Sequence, residues 1–279
     1  KLPSLTGYPS VMSNVGETKN FGVDLSVNAV PVRYKDFEWN STLNVAYQKD
    51  EIVELANGKQ DMIDNSWFIG ESINIYYGVA ANGIWQESEA AEMAKFNEKG
   101  HKFSAGMVKP VDQNGDYVID NNDRVILGSK NPRWTMGWYN SFTYKGIDLS
   151  IELYGRFGYM INTGGEGQFG MYNQREIDYW TPDNPTNAYP RPNRLYDNIE
   201  YESSLYYEKS DFLRVKTITL GYTLPKGLVN KATLSNCRLY VTAQNPLVFT
   251  NYTGVDPEGA ATYASPSVSS WIFGVNVSF

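Results

Sequence analysis

The residues best suited to chemistry are the acidic run Asp112-Gln113-Asn114-Gly115-Asp116-Tyr117-Val118-Ile119-Asp120-Asn121-Asn122-Asp123. Side-chain oxygens of Asp112, Asn114, Asp116, Asp120 and Asp123 fall at positions 1, 3, 5, 9 and 12 of a twelve-residue loop, with the Val118 carbonyl at 7. That is EF-hand-like spacing, and hard oxygen ligands in a flexible loop suit calcium. Four carboxylates packed this closely repel one another unless a cation neutralises them. Two departures predict weak binding. Tyr117 stands at position 6, where the sharp turn prefers Gly, and Asp123 is shorter than the usual bidentate Glu. Affinity of roughly 10⁻⁴–10⁻³ M follows, with a role in stiffening the loop. An acidic surface turn without an ion is the alternative.

Aromatic residues form the second candidate set. Trp85, Tyr172, Tyr179, Trp180, Tyr189, Tyr196, Tyr201, Tyr206 and Tyr207 crowd segments without strand periodicity. Aromatic faces stack on sugars and on peptide side chains, which nominates Trp85, Tyr179 and Trp180 as substrate contacts. The alternative is that these rings pack long loops against each other. Catalysis finds little support. His101 and Cys237 are single residues of their type, no Gly-x-Ser-x-Gly elbow occurs, and the acids are too many to single out a pair. Gly164-Gly165-Glu166-Gly167 lacks a following Lys-Ser/Thr and reads as a loop, not a phosphate cradle. The chain is therefore expected not to be an enzyme.

The elements that carry these loops are strands. Phe21–Ala29, Phe37–Gln48, Trp134–Tyr144, Ile147–Phe157, Cys237–Gln244 and Trp271–Phe279 alternate apolar and polar residues. Phe212–Tyr222 changes phase midway, because Leu213 and Val215 lie on one parity and Ile218 and Leu220 on the other. A β-bulge near Lys216-Thr217 would restore one face. Segments of about ten residues cross a bilayer at a tilt. Asp24, Glu152, Arg156 and Arg238 all lie on the polar phase, whereas Cys237 is a small residue on the apolar, lipid-facing phase. A lipid-facing Arg near the midplane would cost about 2–4 kcal/mol, a penalty largely absent in a wet lumen.

Composition agrees. Of 279 residues, 14 % are aromatic, which suits interfacial girdles. No apolar run approaches the roughly 18 residues of a spanning helix. The net charge of −7 argues against nucleic acid as a partner. Lys1-Leu2-Pro3-Ser4 opens no signal peptide.

The connections alternate short (31–36, 145–146, 223–236) and long (49–132, 161–211, 249–270), as tight inner turns and long outer loops do in outer-membrane barrels. Seven strands cannot close a barrel whose minimum is about eight. The expected fold class is thus all-β: an antiparallel transmembrane β-barrel segment with long extracellular loops, a C-terminal fragment of something longer.

The chain resembles the C-terminal part of SusC/RagA-type TonB-dependent transporters. The resemblance rests on Tyr77-Gly78 through Asn82-Gly83-Ile84-Trp85-Gln86, on the acidic run through Asp123-Arg124-Val125-Ile126-Leu127-Gly128, and on Tyr179-Trp180-Thr181-Pro182 with Asn184-Pro185. It continues through Phe212-Leu213-Arg214-Val215-Lys216, Leu220-Gly221-Tyr222, Gln244-Asn245-Pro246, Gly254-Val255-Asp256-Pro257-Glu258 and the last strand. It implies an outer-membrane barrel of about 22 strands, of which residues 1–279 supply the last seven. It also implies a plug and a TonB-contacting segment elsewhere, a SusD-like surface lipoprotein as lid, and oligosaccharide or peptide substrates. Phe279 would be the signal read by the barrel assembly machinery. A passive porin-like channel and a secreted soluble glycan-binding β-protein are the competing expectations.

Overall fold

The computed structural model describes residues 16–164, 176–192, 201–230, 233–259 and 265–279. Tyr172, Tyr196, Gly165-Glu166-Gly167 and Lys1–Ser4 lie outside these residues. In chain order the elements are β1 (Gly16–Tyr34), β2 (Phe37–Leu55), β3 (Ile75–Val79), β4 (Ala81–Ile84), α1 (Ala90–Glu98), β5 (Val108–Pro110), β6 (Arg124–Ser129), β7 (Trp134–Tyr144) and β8 (Ile147–Phe157). There follow β9 (Met160–Asn162), β10 (Tyr207–Lys209), β11 (Phe212–Thr223), α2 (Lys226–Val229), β12 (Asn236–Thr250) and β13 (Ser270–Ser278).

The seven strands read from alternation form one antiparallel sheet in the order β1-β2-β7-β8-β11-β12-β13. Each pairs with its neighbour among them, a meander without crossovers. β1 and β13 are the two edges and do not pair with each other, so the sheet is an open wall. Its apolar face is not covered: Phe21, Val23, Leu25, Val27, Trp271, Phe273, Val275 and Val277 are all exposed. Trp138, Leu149, Val241 and Val275, on the same apolar phase, are none of them buried. A water-soluble sandwich would hide this face, as burial of each such side chain contributes about 1.5–3 kcal/mol.

The phase change in β11 is resolved as the sequence suggests. Register shifts between Val215 and Thr217 against both neighbours. Val215 then pairs with Leu153, Ile218 with Ile151, Leu220 with Leu149 and Tyr222 with Ile147. The apolar row is thereby continuous across the bulge. Opposite it, Asn245 adopts φ 48, which lets β12 accommodate the step. A second shift lies between Ala29 and Val32, where Pro31 has no N–H to give the ladder.

Two polar residues interrupt the apolar face, Ser41 on β2 and its partner Asn140 on β7. They are matched by the indoles beside them. Trp39 Nε1–H donates to Asn140 Oδ1 at 3.0 Å, and Trp138 Nε1–H donates to Ser41 Oγ at 2.9 Å. An apolar environment demands that pairing, because nothing outside the protein can accept those hydrogens.

Several boundaries differ from the pattern. β1 and β2 are 19 residues each, far beyond the alternating stretches, because ladder pairing continues after the apolar rhythm stops. The 31–36 connection shrinks to a turn at Lys35-Asp36, and the long β2–β7 connection begins at residue 56 rather than 49. Cys237 is buried, not presented to lipid. The β11–β12 connection folds back over it: Leu224 N–H donates to the Cys237 carbonyl at 2.9 Å, and α2 packs on β12 with Val229 buried.

Candidate functional site

The two longest connections meet above one end of the sheet and build a joint cap. β3 pairs with β6, β4 with β5, and α1 closes over them. Trp85, Met93, Phe96, Phe103 and Ile119 form its core, with Ile84, Val108 and Trp180 as a second cluster. Trp85 is 0 % exposed and Trp180 5 % exposed. Neither ring offers a face to a substrate, which corrects the expectation for both. The reason is length: a connection of this size needs its own apolar core, and large flat rings fill it best. Trp180 comes from the second connection and inserts beside Gly106, whose φ of 85 and missing side chain make room for it. Its Nε1–H donates to Gln86 Oε1 at 2.9 Å. Ile84 N–H donates to Asn187 Oδ1 at 3.1 Å, and Arg191 Nη2 donates to Ser104 Oγ at 3.0 Å. Tyr179, next in sequence to Trp180, remains 45 % exposed and keeps an accessible ring. Tyr201 packs on the cap core, and Tyr207 lies against Tyr76 with centroids 4.8 Å apart.

Lys109 stands over the Trp85 ring at 4.5 Å and pairs with Glu89 at 2.6 Å. Burial works to raise the Glu89 carboxyl, but the Lys109 ammonium and the Gln86 N–H outweigh it and hold it below its ordinary range.

The acidic run forms a tightly wound turn. Asp112 accepts from Gly115 N–H at 2.6 Å and Tyr117 N–H at 2.8 Å. Asp116 accepts from Val118 N–H at 2.8 Å, and Asn114 Oδ1 from Asp116 N–H at 3.0 Å. Asp120 accepts from Asn122 N–H at 2.6 Å. Asp123 is fully buried and bridges Gln113 N–H and Asp120 N–H, each at 2.8 Å. Backbone amides thus supply the positive ends that the carboxylates need. The oxygen chemistry fits calcium, but among the described residues no three His, Cys, Asp or Glu side chains converge as metal ligands. Tyr117 takes φ 63, the left-handed conformation that such loops reserve for Gly at this position. The single histidine joins the turn as an acceptor, with Ile119 N–H donating to His101 Nε2 at 3.0 Å.

A second polar centre was not legible from spacing. It lies on the polar face of the sheet, where the β12–β13 connection returns to the wall. Arg214 of β11 pairs with Asp256 at 2.6 Å, the side chains 7 % and 4 % exposed. Lys216 pairs with Glu258 at 2.9 Å. Asp256 also accepts from Ser267 Oγ and, at 2.9 Å, from Glu258 N–H. The Pro257 carbonyl accepts from Tyr159 Oη at 2.5 Å and from Ser210 Oγ at 2.9 Å. Burial pushes the Tyr159 phenol up to about 12, so it stays a donor. The Asp256-Pro257-Glu258 segment is thereby clasped to the wall. The sequence hints at it only indirectly: Arg214 and Lys216 lie at a bulge, where side chains are re-aimed, and both clasped segments are among the motifs that carry the resemblance.

Beside the clasp is an open recess of about 570 Å³, lined by Glu152, Tyr154 and Arg156 of β8 together with Lys216, Gln244 and Glu258. Further along the same face, Arg238 Nε donates to Asp148 Oδ1 at 2.9 Å. The pair reaches across Gly221, and any side chain there would collide with both partners. Phe279 follows β13 and is exposed.

No protein-family model matches the chain. It is 30 % identical over 277 residues to TonB-dependent receptor P26 of Formosa agariphila, matching 93 % of this chain and 27 % of that protein. It is 26 % identical over 302 residues to TonB-dependent receptor SusC of Bacteroides thetaiotaomicron, matching 100 % of this chain and 28 % of SusC. The solved structure of the RagAB peptide importer in the open-open state superposes with a TM-score of 0.74 at 25 % identity, over 100 % of this chain and 30 % of that one. The chain therefore spans less than a third of the length of these relatives. The fold superposes on that stretch of the RagAB importer, the curated relatives matched over nearly the whole chain are TonB-dependent receptors, and the chain belongs to the SusC/RagA-type TonB-dependent receptors of the outer membrane.

Proposed function

We propose that this chain is the C-terminal barrel section of an importer that takes up oligosaccharides or peptides across the outer membrane. The observation that carries the proposal is the open seven-stranded wall, apolar outside and charged inside, capped at one end by two interlocked connections. The wall contributes a hydrated lumen lined by Glu152, Arg156 and the Arg238–Asp148 pair. The cap is extracellular and supplies docking surface for a SusD-like lipoprotein, with Tyr179 as its accessible aromatic contact. Energy arrives through a plug and a TonB-contacting segment carried elsewhere in the receptor. The chain performs no reaction.

The relatives' names support the nutrient-import reading, since SusC and P26 are called TonB-dependent receptors and RagAB a peptide importer. The test is uptake by cells of labelled oligosaccharides and oligopeptides. Import that collapses on adding a protonophore supports the proposal. Import that persists identifies a passive channel, and recovery of the folded protein in buffer without detergent identifies a soluble glycan binder.

A structural calcium in the 112–123 turn is part of the same proposal. The left-handed Tyr117 favours it, because a strained non-glycine conformation costs of order 1 kcal/mol or more and persists where something compensates. The ion would sit among Asp112, Asn114, Asp116, the Val118 carbonyl, Asp120 and Asp123, and it would tie the turn to the cap.

A further inference from the structure

The short-turn end of the wall carries a pattern that import does not use. Two hairpins close there, β1–β2 at Lys35-Asp36 and β7–β8 at Lys145-Gly146. In each, a tyrosine ends the first strand and a lysine opens the turn: Tyr34-Lys35 and Tyr144-Lys145. Tyr34 pairs with Phe37, Phe37 with Tyr144, Tyr144 with Ile147 and Ile147 with Tyr222. That row is the end rung of the apolar face, and Tyr34, Tyr144, Ile147 and Tyr222 are all exposed. Each lysine folds back over its own tyrosine. Lys35 Nζ lies 5.1 Å from the Tyr34 ring and Lys145 Nζ 5.3 Å from the Tyr144 ring. Both ammoniums are therefore held beside outward-facing rings and not in the lumen.

The acids on the neighbouring rungs are engaged elsewhere, Glu38 by Arg33 and Asp148 by Arg238. Asp36 shares the first turn with Lys35, whereas Lys145 has only Gly146 beside it, so Lys145 carries the less compensated charge. β7 and β8 are also flanked on both sides within this chain, by β2 and β11, so no further strand of a larger barrel comes beside their hairpin. Both lysines take left-handed backbone, φ 51 and φ 46, where Gly or Asn is the unstrained choice. A long cation is thus kept, twice and at corresponding places, where the backbone disfavours it.

Tyrosine hydroxyls and lysine ammoniums at the margin of an apolar band lie at the depth of lipid headgroups. An ammonium there is drawn to phosphate and to a net negative headgroup layer. Neighbouring strands are about 4.7–4.9 Å apart, so Tyr34 and Tyr144, two strands apart, act on one patch of headgroups ~10 Å wide. We propose that the two hairpins form a docking site for anionic phospholipid, with Lys35 and Lys145 on the headgroup phosphates and the Tyr34 and Tyr144 rings along the upper acyl chains. Charge complementarity and unbroken continuity with the lipid-facing band select this occupant. The proposal goes beyond import and rests only on the placement of the short turns at the inner side of the membrane.

The test uses the intact receptor purified in detergent and titrated with dioleoyl phosphatidylglycerol or dioleoyl phosphatidylcholine, the bound lipids being counted by native mass spectrometry. The unmodified receptor should bind the anionic lipid more tightly. One lysine beside an anionic lipid surface is worth about fivefold in affinity. Lys145→Asn should therefore weaken the tightest phosphatidylglycerol site about fivefold, and Lys35→Asn combined with Lys145→Asn should weaken it further, with phosphatidylcholine binding unchanged. Asn suits a left-handed turn, so the folded barrel should resist heat at least as well in both variants. Lys145→Arg should keep the preference. Lys130 lies 4.8 Å from the Tyr76 ring in the cap, the same chemistry away from the lipid band, and Lys130→Gln should leave lipid binding as it is. Equal affinity for the two lipids, phosphatidylglycerol binding unchanged in the double variant, or an equal loss in Lys130→Gln overturns the proposal. Labelling of Asp36→Cys on intact cells by a membrane-impermeant thiol reagent would instead count against the inner placement of the turns, and the lipid titration in detergent would stand apart from it.

Discussion

Replacing Arg214 by Ala strips the cation from a carboxylate that is only 4 % exposed. Removing one partner of a buried ion pair costs about 3–5 kcal/mol, because the remaining charge stays desolvated. Here the cost falls at the lower end. Asp256 keeps the Ser267 hydroxyl and the Glu258 N–H as donors, and Glu258 keeps Lys216. A loss of about 3 kcal/mol corresponds to a roughly hundredfold rise in the opening of the clasped segment. Hydrogen exchange followed by mass spectrometry on the intact receptor reads this directly. Peptides covering 251–259 should exchange about a hundredfold faster, while the central part of β12 serves as the unchanged internal standard. The double substitution Arg214→Met with Asp256→Leu removes both charges together and should restore most of the protection, since an apolar replacement of a buried pair is often neutral. Exchange within about threefold of the unmodified protein in Arg214→Ala, or a double variant worse than the single one, would refute the view that the segment is held by this pair.

The same clasp predicts an acid dependence. Burial tends to raise the Asp256 carboxyl, but the Ser267 hydroxyl, the Glu258 N–H and Arg214 outweigh it and hold it below the ordinary carboxylate range. A depressed folded-state value gives stability that is present above the unfolded value and lost as pH falls through the folded one. Protection across 251–259, taken relative to the intrinsic amide exchange rate at each pH, should therefore fall in acid, and Asp256→Asn should flatten that response. On the wall, Leu220→Arg should cost about 2–4 kcal/mol at mid-depth, as judged by loss of heat-modifiable folded barrel. Thr219→Arg, one residue away on the polar face, should be tolerated; equal damage from the two would contradict the assignment of faces. In the cap, Trp85→Ala should cost about 3–5 kcal/mol, read as faster exchange across 81–110 with the sheet unaffected. Calcium should titrate into the intact receptor with a Kd of roughly 10⁻⁴–10⁻³ M and not into Asp112→Ala; an absence of calorimetric heat in both would leave the segment an acidic turn.

Much of the wall was legible in the chain because a strand repeats every two residues. Asp24, Arg238 and Glu152 betray the polar face simply by parity, and the mismatch between Val215 and Ile218 announced a bulge that the register then shows. The cap was not legible in this way. Trp85, Trp180 and Tyr179 look alike as exposed loop aromatics, and only the folded cap separates two buried rings from one accessible ring. Spacing nominates the carboxylates of 112–123 as ion ligands, and the fold adds that backbone amides of the same turn donate to them.

The chain alone therefore settles the local and periodic part: seven amphipathic strands, their faces and the turn at Lys145-Gly146. Alternation is a property of neighbours in the chain, and neighbours are what a sequence records. Where distant segments meet is settled only in the folded molecule. Arg214 and Asp256 are 42 residues apart, and Trp180 and Gln86 are 94 apart. Such pairs are chosen by the sheet order and by the folding-back of long connections. No repeat or spacing encodes these, because the contact energy that selects them appears only once both segments have been brought to the same place.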